Sequence, residues 1–337
     1  MYIIRPIQKE DLDTYFSFAE RAAIGIHTLP KNRDRLAKRI DISIGSFKKN
    51  VHTPQDEIYI FVIENFETKE VVGTCAINAR TGSPEPVHFF KIITVHPHSN
   101  EPIVPKELQM LQVTNYTNGP SEVCGIYLKP EVRKERLGHL LSLSRLLFIA
   151  SFPQRFKRNI IAQMRGVIDL KNNSSPFWEG LGINFTTLTF SEVQKKMESN
   201  SSFINDILPQ NPVYVSLLPK FSQKVMEKVH ISTKPAFKML LNEGFKLTGE
   251  IDVFDGGPIV KAEIQDIETI KNSHFDTIHD VVSDQVNWND YLICNGLIDF
   301  KACMGQLKRY GHDQIIITQA VADALQVKKG DVVRWSK

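Results

Sequence analysis

The chain carries ten histidines, and imidazole, whose ordinary pKa lies near 6.5, is the side chain best matched to moving a proton to or from an amine or a thiol close to neutrality. A histidine taken blindly is more often structural or exposed than catalytic, so residue type alone selects none of them. His96-Pro97-His98 superficially suggests a metal pair. No ordered set of carboxylates or cysteines accompanies it, so the expectation is an exposed loop and no metal site. A sharper feature is Arg133-Lys134-Glu135-Arg136-Leu137-Gly138, a charged turn that runs straight into a helical pattern. A helix start presents unpaired backbone N–H groups and partial positive charge, which suits a phosphate. Gly138 would let a ligand approach the backbone, and Arg133, Lys134 and Arg136 would add charge. The same composition also describes an ordinary solvated turn. Arg165 is a candidate either to meet a carboxylate or to form a structural ion pair, and Asp252 and Asp255 could face a guanidinium. Asp255 in Asp255-Gly256-Gly257 is equally accounted for by a tight turn.

These residues hang on a succession of elements. Met1–Ile7 reads as a strand, followed by helices from near Asp11 to Ala22 and from about Asn32 to Phe47, with the loop Ile24–Pro30 between them. Dense β-branched residues in Ile58–Glu64 and Val71–Asn78, joined by Glu67-Thr68-Lys69-Glu70, predict a hairpin. The stretch holding Pro84, Pro86, Pro97, Pro102 and Pro105 reads as irregular, a binding or capping excursion. Glu122–Leu128 reads as a buried strand, and Gly138–Phe148 as a helix by its apolar period. Ile160–Ile168 reads as a strand, Ser175–Gly180 as a short helix and Ile183–Phe190 as a further strand. Residues 191 to 242 look mostly helical, and Glu250–Phe254 and Pro258–Glu263 flank Asp255-Gly256-Gly257 as a hairpin. Beyond about residue 264, short strands and turn signals such as Lys328-Lys329-Gly330-Asp331 predict a small, mostly β appendage. Alternating strands and helices imply an α/β sheet with helices on its faces. The domains expected are 1–263, including a largely helical segment 191–245, and 264–337.

Bulk properties narrow the function classes. At 337 residues the chain has room for about two domains of roughly 150 residues. Hydrophobic residues make up 42% and charged residues 23%, which argues for a sizeable core and against disorder. Lysine plus arginine (41) barely exceeds aspartate plus glutamate (38), so nothing supports nucleic acid as a partner, while a small anionic ligand stays open. Apolar runs such as Leu146–Ala150 fall far short of the roughly 20 residues that span a bilayer. Arg5 interrupts the opening apolar run too early for a signal-peptide core. Cys75, Cys124, Cys294 and Cys303 form no Cys-x-x-Cys pair, and Cys75 and Cys124 sit in apolar runs where cysteine acts as a small buried hydrophobe. The expected compartment is the reducing cytoplasm, with no membrane partner.

Arg133 and Gly138 match the first and last fixed positions of the pattern Arg/Gln-x-x-Gly-x-Gly/Ala, so the turn resembles the pyrophosphate loop of the GCN5-related acetyltransferase superfamily. Arg136 stands where the first glycine of that pattern usually lies, and its side chain would either add a salt bridge or obstruct the ligand. A longer ordered string is more specific: Arg5-Pro6, Leu29-Pro30, Met164-Arg165-Gly166-Val167-Ile168-Asp169, Ser175-Pro176-Phe177-Trp178, Leu181-Gly182, Pro235-Ala236, Leu240, Glu243-Gly244-Phe245 and Ile251–Pro258. From end to end this resembles the arginine N-succinyltransferase family. The resemblance implies an acyl-CoA N-acyltransferase-like mixed sheet flanked by helices. It also implies transfer of the succinyl group of succinyl-CoA to the α-amino group of L-arginine, the first step of a succinyl-dependent arginine breakdown. Two family positions carry over. His230, upstream of Pro235-Ala236, matches the family's catalytic histidine, a proton donor. Ile126 falls where the family has an acyl-CoA-contacting leucine, and is equally well a plain core position. A histidine there would take the proton of the attacking amine or supply one to the departing thiolate. No metal or redox cofactor is implied; succinyl-CoA is a co-substrate.

One loop departs from the family pattern. The family tends to be glycine-rich before Leu-Thr-x-Leu-Pro, whereas this chain has Ala23-Ile24-Gly25-Ile26-His27-Thr28-Leu29-Pro30. In acetyltransferase-like folds this loop commonly lines the acceptor site, so His27 enters as a substrate contact. The bulkier side chains leave open a different amine, such as ornithine. A non-catalytic partner subunit of a heteromeric enzyme is a further reading, and a homodimer or a heteromer with a related subunit are the assemblies considered.

Overall fold

The computed structural model describes residues 1–337 except 23–27, 84, 99, 100, 102, 104, 134 and 135. Its strands are β1 (Tyr2–Pro6), β2 (Ile58–Asn65), β3 (Val71–Asn78), β4 (Val87–Val95), β5 (Leu108–Tyr116), β6 (Ser121–Leu128), β7 (Asn159–Gln163), β8 (Val213–Tyr214), β9 (Lys246–Asp252), β10 (Pro258–Glu263), β11 (His274–Val282), β12 (Asp290–Cys294), β13 (Ala302–Arg309), β14 (Gln314–Thr318) and β15 (Val332–Ser336). They join in one sheet in the order β12-β15-β11-β14-β13-β1-β2-β3-β6-β7-β10-β9-β4-β5-β8. The sheet is mixed: β6 runs parallel to β7 and β11 parallel to β14, while the remaining described pairs are antiparallel. The principal helices are α1 (Leu12–Arg21), α2 (Arg33–Lys48), α3 (Leu137–Ser151), α4 (Pro176–Gly180) and α5 (Phe190–Ser199).

The apolar run of β2 explains the layering. Successive side chains of a strand point to opposite faces, and β2 is apolar on both, so both faces must be covered. Phe61 and Ile63 pack with Leu140, Leu141, Leu147 and Phe148 of α3 on one side. Ile60 and Val62 pack with Phe18 of α1 and Leu36 and Ile40 of α2 on the other. Helix α2 is started by Asn32, whose side chain accepts from the Arg35 N–H at 2.9 Å. It also finishes the sheet where β1 ends at Pro6: Ser43 and Ser46 accept the N–H groups of Ile60 and Ile58 at 2.9 and 3.1 Å. A mixed, helix-flanked sheet with a β-rich C-terminal region is therefore the fold, as the family resemblance implied. The C-terminal strands continue the same sheet, because β13 pairs with β1.

Several local expectations are corrected. The proline-rich stretch is not irregular throughout: Val87–Val95 and Leu108–Tyr116 form the β4–β5 hairpin ladder. Its prolines fall outside the two strands, where a missing N–H removes no ladder bond. Ile183–Phe190 is not a strand. Gly182–Asn184 is a single 3-10 turn, and Thr189 then opens α5 through a reciprocal cap with Glu192. Residues 191 to 242 are helical only in short pieces, since Pro209, Pro212 and Pro219 punctuate them. The strand expected over 160–168 ends at Gln163, because the backbone beyond it turns to other partners.

The feature that matters for function is a split in the sheet. Pairing between β6 and β7 is confined to Ser121↔Ile160 and Glu122↔Ile161. Beyond that point β6 stays with β3 as far as Leu128, while β7 stays with β10. Inside the split, β6 carries a bulge: Cys124 pairs with Ala76 and Tyr127 with Thr74, so Gly125 and Ile126 together oppose Cys75. Gly125 adopts φ +60°, a left-handed conformation that glycine takes without a Cβ clash.

Candidate active site

One lip of the split is built where β7 ends. Gly166 forms an antiparallel bridge with Val229, and the His230 N–H donates to the Arg165 carbonyl at 3.0 Å. The turn after β9 clamps this junction. Both Asp255 carboxylate oxygens accept backbone N–H groups, from Gly257 and Gly166, each at 2.8 Å. Asp252 accepts from the N–H groups of Phe254 and Asp255 at 2.8 and 2.9 Å. A Cβ on Gly166 would stand 2.3 Å from the Asp255 carbonyl oxygen, and one on Gly257 would stand 2.0 Å from that of Met164. The two backbones touch, and only glycine fits. Asp255 is buried, and burial followed by the neighbouring Asp252 charge drives its pKa upward against those two N–H bonds. Its oxygens are occupied by the turn, so a substrate guanidinium finds no free edge there.

His230 is 9% exposed. Its Nδ1 accepts from the Ser232 N–H at 3.2 Å and from Arg165 Nη2 at 3.0 Å, and Ser232 Oγ lies 2.8 Å away. Arg165 Nη2 also donates to that hydroxyl at 2.6 Å. A guanidinium and a backbone amide can only donate, so Nδ1 must be the unprotonated nitrogen and the neutral ring carries its proton on Nε2. Burial, and then the Arg165 charge, lower the His230 pKa below its ordinary value and favour that neutral form. The site thus presents an oriented Nε2–H donor. Arg165 makes no ion pair among the described residues, and its Nε is buried without a partner among them.

The other lip is β6 and the start of α3. Arg133 donates from Nε to the Leu128 carbonyl at 3.1 Å, folding the turn back on the strand. Arg136 caps α3 with φ +57°, so this arginine holds the left-handed conformation for which glycine is the usual residue. No side chain caps the helix, and its 15 residues direct their dipole at the turn. A Cβ on Gly138 would meet nothing within 4 Å, so space is open at the first turn. Ile126 is half-buried against the α3-side core. Lys134 and His27 lie outside the described residues.

The split therefore gathers the expected residues into two groups. His230, Arg165, Asp252 and Asp255 lie on the β7–β10 lip, and Ile126, Arg133, Arg136 and Gly138 lie on the β6–α3 lip. His96 lies apart on an exposed loop, with Nδ1 3.4 Å from the Lys106 carbonyl oxygen. Three contributors escaped sequence reasoning. Ser232 sets the His230 tautomer, and its only signal is its place two residues downstream. Thr28 accepts the bulge N–H of Gly125 at 3.1 Å, tying the loop before α2 to β6. Arg145, 4% exposed, donates to the Cys124 carbonyl at 3.2 Å from within α3. An arginine among leucines in an apolar helix was the visible sign of it.

Comparison with known proteins gives a consistent picture. The family model described as "Arginine N-succinyltransferase beta subunit" matches residues 2–269, and the one described as its C-terminal domain matches residues 277–337. The arginine N-succinyltransferase of Enterobacter sp. (strain 638) is 33% identical over 335 residues, spanning 99% of this chain and 97% of that one. The protein of the same name from Shigella boydii serotype 4 (strain Sb227) is 33% identical over 347 residues, with coverage of 99% and 97%. The solved structure of arginine/ornithine succinyltransferase subunit AI from Pseudomonas aeruginosa superposes with a TM-score of 0.89 at 30% identity, covering 99% of this chain and 98% of that chain.

Proposed function

The chain belongs to the arginine N-succinyltransferase family, and on that premise we propose that it transfers the succinyl group of succinyl-CoA to the α-amino group of L-arginine and releases CoA. The observation that carries this reading is the match to named arginine N-succinyltransferases over 99% of the chain. The amine nitrogen attacks the thioester carbon, a C–N bond forms, the C–S bond breaks, and the proton lost by nitrogen ends on the sulfur of CoA. No electron is exchanged, so the proposed reaction calls for no redox cofactor.

The residues divide the work as follows. His230 directs its Nε2–H at the charge that develops as the thioester breaks and stabilises it by hydrogen bonding; the neutral ring keeps that proton, and the sulfur takes the one that the amine loses. Arg165 orients that ring, and its unpartnered Nε is offered to the distal succinyl carboxylate. The start of α3 at Gly138, with Arg133 and Arg136 beside it and Lys134 next to Arg133 in the sequence, takes the pyrophosphate of CoA. Ile126 in the bulge lies along the acyl-CoA path, and His27 belongs to the loop assigned to the acceptor. Assembly as a homodimer or with a related subunit is part of the proposal, supported by the word "subunit" in the descriptions of the family model and the Pseudomonas protein. The proposed compartment is the cytoplasm, supported by four buried cysteines that are all free thiols. No helix among the described residues is long and apolar enough to cross a membrane.

The test is release of CoA thiol by purified protein. Succinyl-CoA with L-arginine should react faster than acetyl-CoA, which lacks the distal carboxylate. Equal rates with both donors would remove the succinyl assignment, and turnover with ornithine but not arginine would change the amine. No release with any donor and amine would leave a non-catalytic subunit.

A further inference from the structure

On the α1–α2 side of the sheet, at the closed end of the split, lies a second polar centre. A cavity of about 170 Å³ is lined by Arg39 of α2, Asn78 of β3, Arg80 and Glu122 of β6, among others. Glu122 is 3% exposed. Its two oxygens accept amide N–H groups, from Asn78 Nδ2 and from Gln163 Nε2, each at 2.9 Å. It has no ion-pair partner among the described residues, and the Arg39 charge reaches it only through space. Arg39 is the converse. Its Nε and Nη2 are buried and bond to nothing among the described residues, and Asn78 Oδ1 is a buried acceptor likewise without a donor. Of the other charges that line the cavity, Arg80 pairs with Asp56 and Glu57 with Lys49, while Glu85 accepts a hydrogen bond from the Ser201 hydroxyl.

Arg39 as a whole is half-buried and meets Tyr15, but a buried guanidinium edge and a buried carboxylate that do not bond each other are costly unless something else completes them. The Nε–Nη2 edge of a guanidinium is the side-on fork that holds a carboxylate through two parallel hydrogen bonds. Glu122 with Asn78 Oδ1 offers only acceptors and suits an ammonium. The pair thus matches the two ends of a zwitterion.

We infer that this cavity receives the α-amino-acid end of the acceptor, its α-carboxylate on Nε and Nη2 of Arg39 and its α-ammonium on Glu122 and Asn78 Oδ1. The assignment deepens the proposed transfer and rests on it, since it places the nucleophilic nitrogen at the point where β6 and β7 part. Glu122 pairs with the last β7 residue before the split, and the bulge at Gly125 and Ile126 lies just beyond it on the same strand. It also separates two carboxylates by two arginines, with Arg165 left for the donor.

The test compares L-arginine with agmatine, which lacks the α-carboxylate, and with the guanidino acid that lacks the α-amine. In calorimetric titrations of wild-type protein saturated with CoA, L-arginine should bind at least about 100-fold tighter than either, because each analogue leaves a buried group unmatched. Arg39→Gln should lower kcat/KM for arginine by about the same factor, leave agmatine unchanged and leave the KM for succinyl-CoA unchanged. Equal wild-type affinity for arginine and agmatine would overturn the inference without any variant having to fold. Loss of the succinyl-over-acetyl preference in Arg39→Gln, with arginine KM intact, would also overturn it and give Arg39 to the donor. Normal turnover of arginine by wild type and by Arg39→Gln alike sinks the cavity assignment alone. Tight, discriminating arginine binding without any CoA release would support the cavity and sink the transfer reading.

Discussion

Arg165 donates from Nη2 to Nδ1 of His230 across 3.0 Å, a hydrogen bond between a permanent cation and a ring that the cation itself discourages from protonating. The contact fixes both the tautomer and the charge of the histidine, and it follows from the backbone bridge that joins their two segments.

That relationship predicts the pH profile. Burial, then Arg165, hold the His230 pKa below the ordinary value of about 6.5. Turnover that needs the neutral ring should fall along an acid limb whose midpoint lies below pH 6.5. The stability sign is the same: a lowered histidine pKa favours folding fully above about 6.5, and that contribution declines as pH drops toward the folded value. In Arg165→Met the first cause remains and the second is removed, so the midpoint should move upward while turnover falls. NMR titration of the His230 ring reads the shift directly, and an unmoved midpoint would refute the coupling.

His230→Gln should lower kcat by about 100- to 1,000-fold, the usual cost of disturbing one preorganised donor to developing charge. Glutamine keeps polarity and approximate volume but does not titrate. Acyl-CoA affinity and melting temperature should change little. Near-normal turnover in well-folded protein would remove the catalytic assignment.

At the α3 lip, Gly138→Glu places bulk and negative charge where the pyrophosphate should meet the helix start. Because a Cβ there meets nothing, the protein should fold normally while calorimetry shows CoA affinity strongly reduced. Unchanged affinity would move the pyrophosphate elsewhere.

Arg136→Gly tests the same lip from the opposite direction. It relieves a left-handed strain of about 1–2 kcal/mol and incurs the glycine backbone entropy of about 0.5–1 kcal/mol. Urea melts should therefore show equal or slightly higher stability. CoA should nonetheless bind more weakly and with a shallower salt dependence, because one cation is gone. Tighter binding would instead show that the arginine obstructs the ligand.

Asp255→Asn turns one acceptor oxygen toward its N–H partner as a donor. A loss of about 1–3 kcal/mol of stability is expected for a buried group left unsatisfied. Chemical denaturation measures it, and an unchanged midpoint would mean that the turn does not depend on the two carboxylate bonds to Gly166 and Gly257.

The sequence by itself determined which strands and helices carry the core. Two-faced apolar runs such as Ile58–Asn65, and the apolar α3 pattern, have one physical solution, a sheet covered on both sides. The ordered string of Met164–Asp169, Pro235-Ala236 and Ile251–Pro258 also carried the family, and with it His230. It did not reveal the β4–β5 hairpin, because prolines outside a strand look in one dimension like prolines that break it. Nor did it reveal Glu122, Asn78 and Arg39 as a group, or Ser232 and Arg165 as the partners of His230. Those residues belong to different elements, and their meeting depends on strand register and on where β6 and β7 separate. Register is a property of paired backbones, and a charge left without a counter-ion is recognisable only once its neighbours are in place. Tertiary structure alone decided which nitrogen of His230 bears the proton and which arginine edge stays open.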